Sequence, residues 1–158
     1  MSLKRSSGST PGLGSRGASF ARAHRTTDYS IPSSATFTPI PWTVETFDTD
    51  GYWESVTNPT RFTAPVDGTY RITASVSFSV SNDAIALAGY WVDGATVVNS
   101  DESFGRNNDV DTGGVLGFNG SDIVELDAGQ YVEIVCYSNG AIRNVRGGVS
   151  YASLQLIT

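Results

Sequence analysis

Few residues of this chain could take part in nucleophilic, acid–base or metal chemistry. One histidine, His24, and one cysteine, Cys136, occur in 158 residues. A serine–histidine–aspartate site needs a histidine held between its two partners, and no spacing around His24 indicates one. A structural zinc site takes four ligands, mostly cysteine and histidine, and the chain lacks them. We therefore expect no catalytic residue, no bound metal and no cofactor.

Residues 99–114 form the one oxygen-rich segment that could hold a cation. Calcium prefers carboxylate and carbonyl oxygens, and this segment contains Asp101, Glu102, Asp109 and Asp111. Their spacing matches no known calcium loop, so we favour a variable, exposed loop and keep calcium as the alternative. A loop of this kind is also a candidate for contacting a partner.

Charge divides the chain into two unequal parts. Residues 1–27 carry five basic residues and no acid, whereas residues 28–158 carry five basic and all 16 acidic residues, a net charge of −11. Because an acidic body repels phosphate, we expect no nucleic-acid partner. Apolar runs are short, so we expect neither a membrane-spanning helix nor a secretory signal. The basic segment is expected to dock on an acidic protein surface.

Apolar and polar residues alternate along much of the chain, and this alternation predicts β-strands. In YRITASVSFSV, residues 70–80, every second residue is apolar and the others are small and polar. This pattern predicts a long antiparallel strand with one buried face. Cys136 lies in a similar run, QYVEIVCYS, and is interpreted as a small buried apolar residue.

Asp-Gly and Asn-Gly pairs separate the predicted strands. Such pairs accept the positive φ values of tight hairpins, and five occur here: Asp50-Gly51, Asp67-Gly68, Asp93-Gly94, Asn119-Gly120 and Asn139-Gly140. We interpret Asn119-Gly120-Ser121 as a hairpin turn between the strands GGVLGF and IVEL, not as a glycosylation site. Short strands without an amphipathic helix predict an all-β sandwich or barrel.

The last two strands carry apolar or aromatic residues on both faces. A sandwich normally leaves one face of each strand in water, so the second face must be covered. Either a loop or the N-terminal segment covers it, or another subunit does. We favour a subunit interface, with the second-face residues Tyr131, Val135, Tyr137 and Tyr151 as its candidates.

Residues 47–78 resemble the jelly-roll superfamily of complement globular heads and tumour necrosis factor. The matching elements are Phe47-Asp48, Phe62-Thr63-Ala64-Pro65 and Gly68-Thr69-Tyr70. Leu126–Val132 and Ser150–Leu154 resemble two later strands of the family, with Ser153 where glycine is usual. The resemblance implies a two-sheet antiparallel jelly roll of about ten strands. It also implies a homotrimer, in which the sheet with the first, last and long central strands faces the three-fold axis.

The version found in bacteriophage virion proteins is the most similar, through the stretch ARAHRTTDYSIPSSATFTPIPWTVETFDTDGYWESVTNPTRFTAP. This resemblance implies a structural protein at the virion surface, a homotrimeric head (capsid) decoration or short fibre. The alternative is a tail-associated receptor-binding or adhesin domain that recognises a host cell-surface glycan. A secreted signalling or pattern-recognition head ranks last, because it predicts a signal peptide and often a stalk.

We divide the chain into an arm, residues 1–19, and a jelly-roll head, residues 20–158. The arm is glycine- and serine-rich, and Gly8, Gly12, Gly14 and Gly17 do not follow the three-residue period of collagen. We expect a flexible basic anchor whose charged residues are Lys4, Arg5 and Arg16. Its expected partner is a major capsid or tail protein.

The aromatic pairs Tyr52-Trp53 and Tyr90-Trp91 could stack on sugar rings if they are exposed. Core packing is the favoured interpretation for both pairs, since buried aromatics dominate the cores of small domains.

Overall fold

The computed structural model describes residues 18–32, 36–80, 85–96, 105–107, 114–139 and 143–158. These residues form fourteen strands and no helix: β1 Phe20–His24, β2 Tyr29–Ile31, β3 Thr38–Pro39, β4 Val44–Asp48, β5 Trp53–Glu54, β6 Asn58–Thr63, β7 Gly68–Val80, β8 Ile85–Val92, β9 Ala95–Thr96, β10 Gly105–Asn107, β11 Gly114–Leu126, β12 Tyr131–Asn139, β13 Arg143–Val145 and β14 Tyr151–Leu156. The number exceeds the expected ten or so because several strands have only two or three residues.

The first sheet is built around the long strand β7. β11 pairs with β7 along its whole length, from Gly114 opposite Val80 to Leu126 opposite Gly68. On the other edge of β7 lie β14 and β13, and the sheet continues from β14 through β1 to β4. The first, the last and the long central strand therefore share one sheet, as the family resemblance implied.

The second sheet is built around β12. β8 pairs with one edge of β12, and β6 and β3 share the other edge. The short strands β10 and β9 pair with β8, and β5 pairs with β6. All pairings in both sheets are antiparallel, as expected for strands joined by short turns.

The core lies between the two sheets and consists of the alternating residues predicted to face inward. From β7 it receives Tyr70, Ile72, Ala74, Val76 and Phe78, all at most 1% exposed. From β12 it receives Val132, Ile134 and Cys136, which are buried to the same degree. Each fully buried large apolar side chain stabilises the fold by roughly 1.5–3 kcal/mol relative to exposure.

The predicted hairpin turn at Asn119-Gly120-Ser121 is wrong. These residues lie in the middle of β11, opposite residues 73–75 of β7. Asn-Gly permits a turn but does not require one, and here pairing with a 13-residue neighbour continues the strand through it. The hairpin at Asp93-Gly94 is confirmed, because both residues have positive φ, 49° and 73°.

Candidate interaction surface

The outward face of the first sheet is the candidate surface for contact with another protein. We call it the β7 face and define it by its residues: Phe20, Arg22, His24, Val44, Phe47, Arg71, Thr73, Ser75, Ser77, Val115, Asn119, Ser121, Ile123, Tyr151, Ser153 and Gln155. Its centre is small and hydroxyl-rich, because β7 alternates buried apolar residues with Ser and Thr.

Apolar side chains surround this hydroxyl-rich centre. The described residues expose seven large apolar side chains, and four of them lie on the β7 face: Val115 (57% exposed), Ile123 (56%), Phe47 (39%) and Val44 (37%). Exposed apolar groups on one face of a sheet, with few charges between them, are typical of a protein–protein contact.

Two ring contacts order the β1 side of the β7 face. The Arg22 guanidinium carbon lies 3.8 Å from the centroid of the Tyr151 ring. The Phe20 and Phe47 rings meet edge-to-face at 4.8 Å. These contacts fix large planar groups on the surface, so that binding a partner would cost little side-chain entropy.

The four residues predicted for the subunit interface do not lie together. Tyr151 belongs to β14 and the β7 face, whereas Tyr131, Val135 and Tyr137 belong to β12 in the other sheet. Sequence alternation identified two-faced strands, but it carries no information on which sheet each strand joins. The interface itself stays a prediction, since it concerns more than one copy of the chain.

On β12 the second face is partly covered by the chain itself. Val135 is 1% exposed and pairs with Pro39 of β3. The Phe37 ring lies 5.2 Å from that of Tyr137, and the Arg61 guanidinium carbon lies 4.0 Å from the Tyr131 ring centroid. For Val135 this agrees with the less favoured interpretation, that a segment of the same chain covers the second face.

Glu133 is the feature of this face that the sequence did not explain. Its carboxylate is buried between strands, accepting a hydrogen bond from the Thr60 hydroxyl at 2.6 Å and another from Arg61 Nε at 3.4 Å. Sequence position gives no sign of this pairing, because Thr60 and Arg61 are more than seventy residues away in the chain.

The two aromatic pairs have different environments. Tyr52 and Trp53 are buried, at 1% and 6% exposure, which confirms core packing for that pair. The Tyr90 hydroxyl donates to Asp122 of β11 and thereby ties the two sheets together. Trp91 lies on the outward face of the second sheet, opposite Glu133.

Two contacts among the described residues join a hydroxyl to a possible base, but they lie at opposite ends of β1 and do not combine into a serine–histidine–aspartate arrangement. The Ser19 hydroxyl, just before β1, donates to the Asp50 carboxylate and lies 2.6 Å from the Tyr52 hydroxyl. His24, at the far end of β1, is hydrogen-bonded to the hydroxyl of Thr46 on β4. Burial raises the pKa of the Cys136 thiol to about 12, and the thiol donates to the Thr38 carbonyl at 3.3 Å. A thiol in that state is not a nucleophile near neutral pH.

A metal cluster requires several ligands placed together, and a membrane-spanning helix requires a long apolar segment. The part of the chain that the structure describes contains no group of three or more His, Cys, Asp or Glu residues placed to hold a metal ion. The acidic residues Asp101, Glu102, Asp109 and Asp111 lie outside the described residues. Over the described ranges, no helix is long and apolar enough to cross a membrane.

Of the five basic residues near the N-terminus, the structure describes two. Arg22 stacks on Tyr151, and Arg25 is 5% exposed, with Nε donating to the Thr27 carbonyl at 3.0 Å and a terminal nitrogen donating to the Pro41 carbonyl. Burial lowers the pKa of Arg25, and this side chain belongs to the head instead of a free basic segment. Lys4, Arg5 and Arg16 lie outside the described residues.

A groove of about 630 Å³ lies between β4 of the first sheet and β5 of the second. We call it the edge groove, and its lining residues are Thr43, Val44, Glu45, Trp53, Glu54, Ser55, Val56 and Thr57. Val56, at the tip of the β5–β6 hairpin, is 90% exposed.

Comparison with known proteins finds solved structures of similar fold but no relative by sequence. No protein-family model matches the chain, and no curated protein matches it by sequence. Among solved structures, Eiger TNF from S. frugiperda matches with a TM-score of 0.59 at 12% identity, over 90% of this chain and 94% of that chain. Murine APRIL at pH 8.0 matches with a TM-score of 0.60 at 11% identity, over 89% and 100%.

The fold is a TNF-like jelly roll. This confirms the predicted fold class, a two-sheet antiparallel jelly roll, and the fold is the one that the resemblance to tumour necrosis factor implied. At 10–12% identity the likeness concerns the fold of the jelly roll alone. The bacteriophage version of the resemblance stays a prediction.

Proposed function

We propose that this jelly roll is a non-enzymatic structural protein of a bacteriophage virion. It forms a homotrimer that decorates the head or builds a short fibre, and its N-terminal arm anchors it to a capsid or tail protein at the virion surface. The observation that carries self-association is the β7 face, with four exposed apolar side chains around a hydroxyl-rich centre.

The β7 face suits a trimer better than the second face of β12 does. Val115 and Ile123 are more than half exposed, whereas Val135 is already buried by its own chain. Burying exposed apolar surface is worth about 25 cal/mol per Å² removed from water, and a residue that is already buried adds nothing. The family resemblance points to the same face, because the β7 sheet contains the first, last and long central strands.

The anchoring role is supported by the distribution of charge along the chain. The arm contains Lys4, Arg5 and Arg16 without an acid, and the rest of the chain is strongly acidic. A short basic segment on an acidic head favours attachment to an acidic protein surface over attachment to nucleic acid.

The first test is the mass of the assembled protein by light scattering. We expect the full chain to have three times the chain mass and Ile123→Asp to reduce it, because a carboxylate would be desolvated in the interface. Val56→Asp is the matched control, an exposed β-branched residue away from the β7 face, and it should retain the trimer. A monomeric wild-type chain, or an unchanged trimer for Ile123→Asp, contradicts the assignment.

The second test concerns the arm. Deleting residues 2–17 should leave a soluble trimer that no longer attaches to virus particles. Full decoration of particles by the truncated protein contradicts anchoring while leaving the trimer intact.

A second candidate function is a receptor-binding domain at the tail that recognises a host glycan. Trp91 favours it, since this half-buried indole lies on the outward face of the second sheet beside Tyr131 and Glu133. Binding of the isolated head on a glycan array, lost in Trp91→Ala, supports this alternative, and no binding removes it.

A further inference from the structure

The edge groove lies where both sheets end. In the part of the chain that the structure describes, β4 pairs only with β1 and β5 pairs only with β6. An unpaired strand edge beside exposed apolar side chains is a site where another strand can add, and proteins usually cover such edges. Here Val44 is 37% exposed and Val56 90% exposed along this edge.

The charge of the edge groove selects a basic occupant. Glu45 and Glu54 lie in its lining, and none of the described residues that line it is a lysine or an arginine. Residues 1–17 contain Lys4, Arg5 and Arg16 and no acidic residue. The same segment offers Leu3 and Leu13 as partners for the exposed valines.

The arm leaves the head at the C-terminal end of β4, and the Thr43–Glu45 side of the edge groove lies about one length of β4 away, at the N-terminal end of that strand. Ser19 bonds to the side chain of Asp50, two residues after β4 ends, and its carbonyl accepts from the Leu156 amide. To reach the free edge of β4 from β1, the chain must cross two strand spacings, about 10 Å. Three extended residues cover this distance. The remaining residues of the arm, when extended, span more than the length of β4, which is about 17 Å.

We propose that the arm docks in the edge groove of its own head when the protein is free, and is released when it anchors to the particle. Leu13 and Leu3 cover Val56 and Val44, and the basic side chains lie near Glu45 and Glu54. Val44 lies on β4, at the margin of the β7 face, so the arm covers that margin and leaves the centre of the face open. The arm of the same chain is favoured over that of a second copy because a short tether provides a millimolar effective concentration. The release step, though not the docking, rests on the proposed anchoring function.

Hydrogen exchange with a charge-reversal cycle tests the docking. In the full chain we expect the amides of Val44–Phe47 that point away from β1 to be protected. Reversal of the arm (Lys4→Glu, Arg5→Glu, Arg16→Glu) should speed their exchange about tenfold, as should reversal of the groove (Glu45→Lys, Glu54→Lys). Combining both reversals should restore protection. Equal exchange in the wild type and the arm-reversed chain overturns the proposal.

Glu125→Lys is the matched control, a charge reversal at an exposed site on β11, and it should not alter exchange in β4. Exchange of the β14 amides reports the integrity of the head in every variant. If a reversed variant fails to fold, a spin label at Ser15→Cys in a Cys136→Ala chain gives the answer with native charges and with Leu3 and Leu13 in place. Broadening of the Val44 and Val56 signals is expected, and none overturns docking.

The spin label also shows whether the arm docks on its own head or on the head of a second copy. When the spin label and the isotope are on different chains of a mixture, we expect no broadening, and broadening there overturns the same-chain assignment. The outcome is independent of anchoring. If the β4 amides exchange freely but decoration of particles still requires the arm, docking is refuted and anchoring stands. If the β4 amides are protected but the truncated protein still decorates particles, anchoring is refuted and docking stands.

Discussion

The guanidinium of Arg22 stacks on the ring of Tyr151, 3.8 Å from its centroid, and joins β1 to β14 on the β7 face. His24 lies opposite Tyr151 in the same strand pair, and Ser75 lies on its other side. Tyr151 is therefore held at the middle of the surface that we propose for self-association. Tyr137, its counterpart in the sequence-based interface, contacts Phe37 on the other sheet.

This separation predicts different results for two matched substitutions. Tyr151→Asp should dissociate the trimer, because it places a carboxylate in the proposed interface. Tyr137→Asp should leave the trimer mass unchanged, although it removes the contact with Phe37. Light scattering of both variants decides between the sheets, and dissociation by Tyr137→Asp alone would move the interface to β12.

Gly147 packs too closely against the chain to tolerate a side chain. A Cβ atom there would lie 2.6 Å from the backbone carbonyl groups of Thr26 and Thr27. We expect Gly147→Ala to lower the free energy of unfolding by about 1–3 kcal/mol. Gly117→Ala on β11 is the control, since a Cβ atom there meets nothing within 4 Å, and its effect should stay below about 1 kcal/mol. Urea denaturation measures both, and equal effects would contradict the steric explanation.

Asp48 organises the turn that follows β4. Its carboxylate accepts four backbone N–H groups, those of Asp50, Gly51, Tyr52 and Trp53, at 2.8–3.2 Å. Replacement by Ala leaves these donors without their acceptor, so Asp48→Ala should cost about 1–3 kcal/mol of unfolding free energy. Asp127→Ala, at another exposed turn, should cost less. Comparable losses in thermal or urea denaturation would show that the four hydrogen bonds contribute little.

Cys136 predicts how stability changes at alkaline pH. Burial raises the pKa of its thiol from 9.0 to about 12, so the folded protein holds this proton more tightly than the unfolded chain. The stabilisation is complete below pH 9 and is lost as the pH rises towards 12, at about 1.4 kcal/mol per pH unit. Burial also raises the pKa values of Tyr29 and Tyr52, which adds to the loss at higher pH.

The contribution of the thiol is isolated by comparing the wild type with Cys136→Ala. Urea denaturation at increasing alkaline pH should give a shallower decline for the variant. The folded wild type should also resist iodoacetamide until it is unfolded. Parallel declines in the two proteins would contradict the assignment of the alkaline loss to Cys136.

Local patterns predicted the strands well and one turn badly. Alternation identified the buried face of β7, because side chains of a strand point to opposite sides whatever the strand pairs with. The Asn119-Gly120 turn failed because a turn also requires that the flanking segments pair with each other. Here both segments pair with β7 instead, so β11 continues.

The candidate surfaces were predicted only in part for the same reason. The sequence indicated that Tyr131, Val135, Tyr137 and Tyr151 lie opposite the core-facing residues of their strands. It did not indicate the cover that Pro39, Phe37 and Arg61 provide on β12, since these contacts join segments about 70 to 100 residues apart. The edge groove depends on β4 and β5 lying at the edges of two sheets, which no local pattern encodes.

The sequence by itself determined the all-β class, the inward-facing residues and the separation of basic arm from acidic body, because these follow from composition and from the two-residue period. Only the tertiary structure decided that β1, β7 and β14 share one sheet, that Val135 is covered and that Tyr151 is presented on an open face. These features arise from long-range strand pairing, whose register depends on the whole chain.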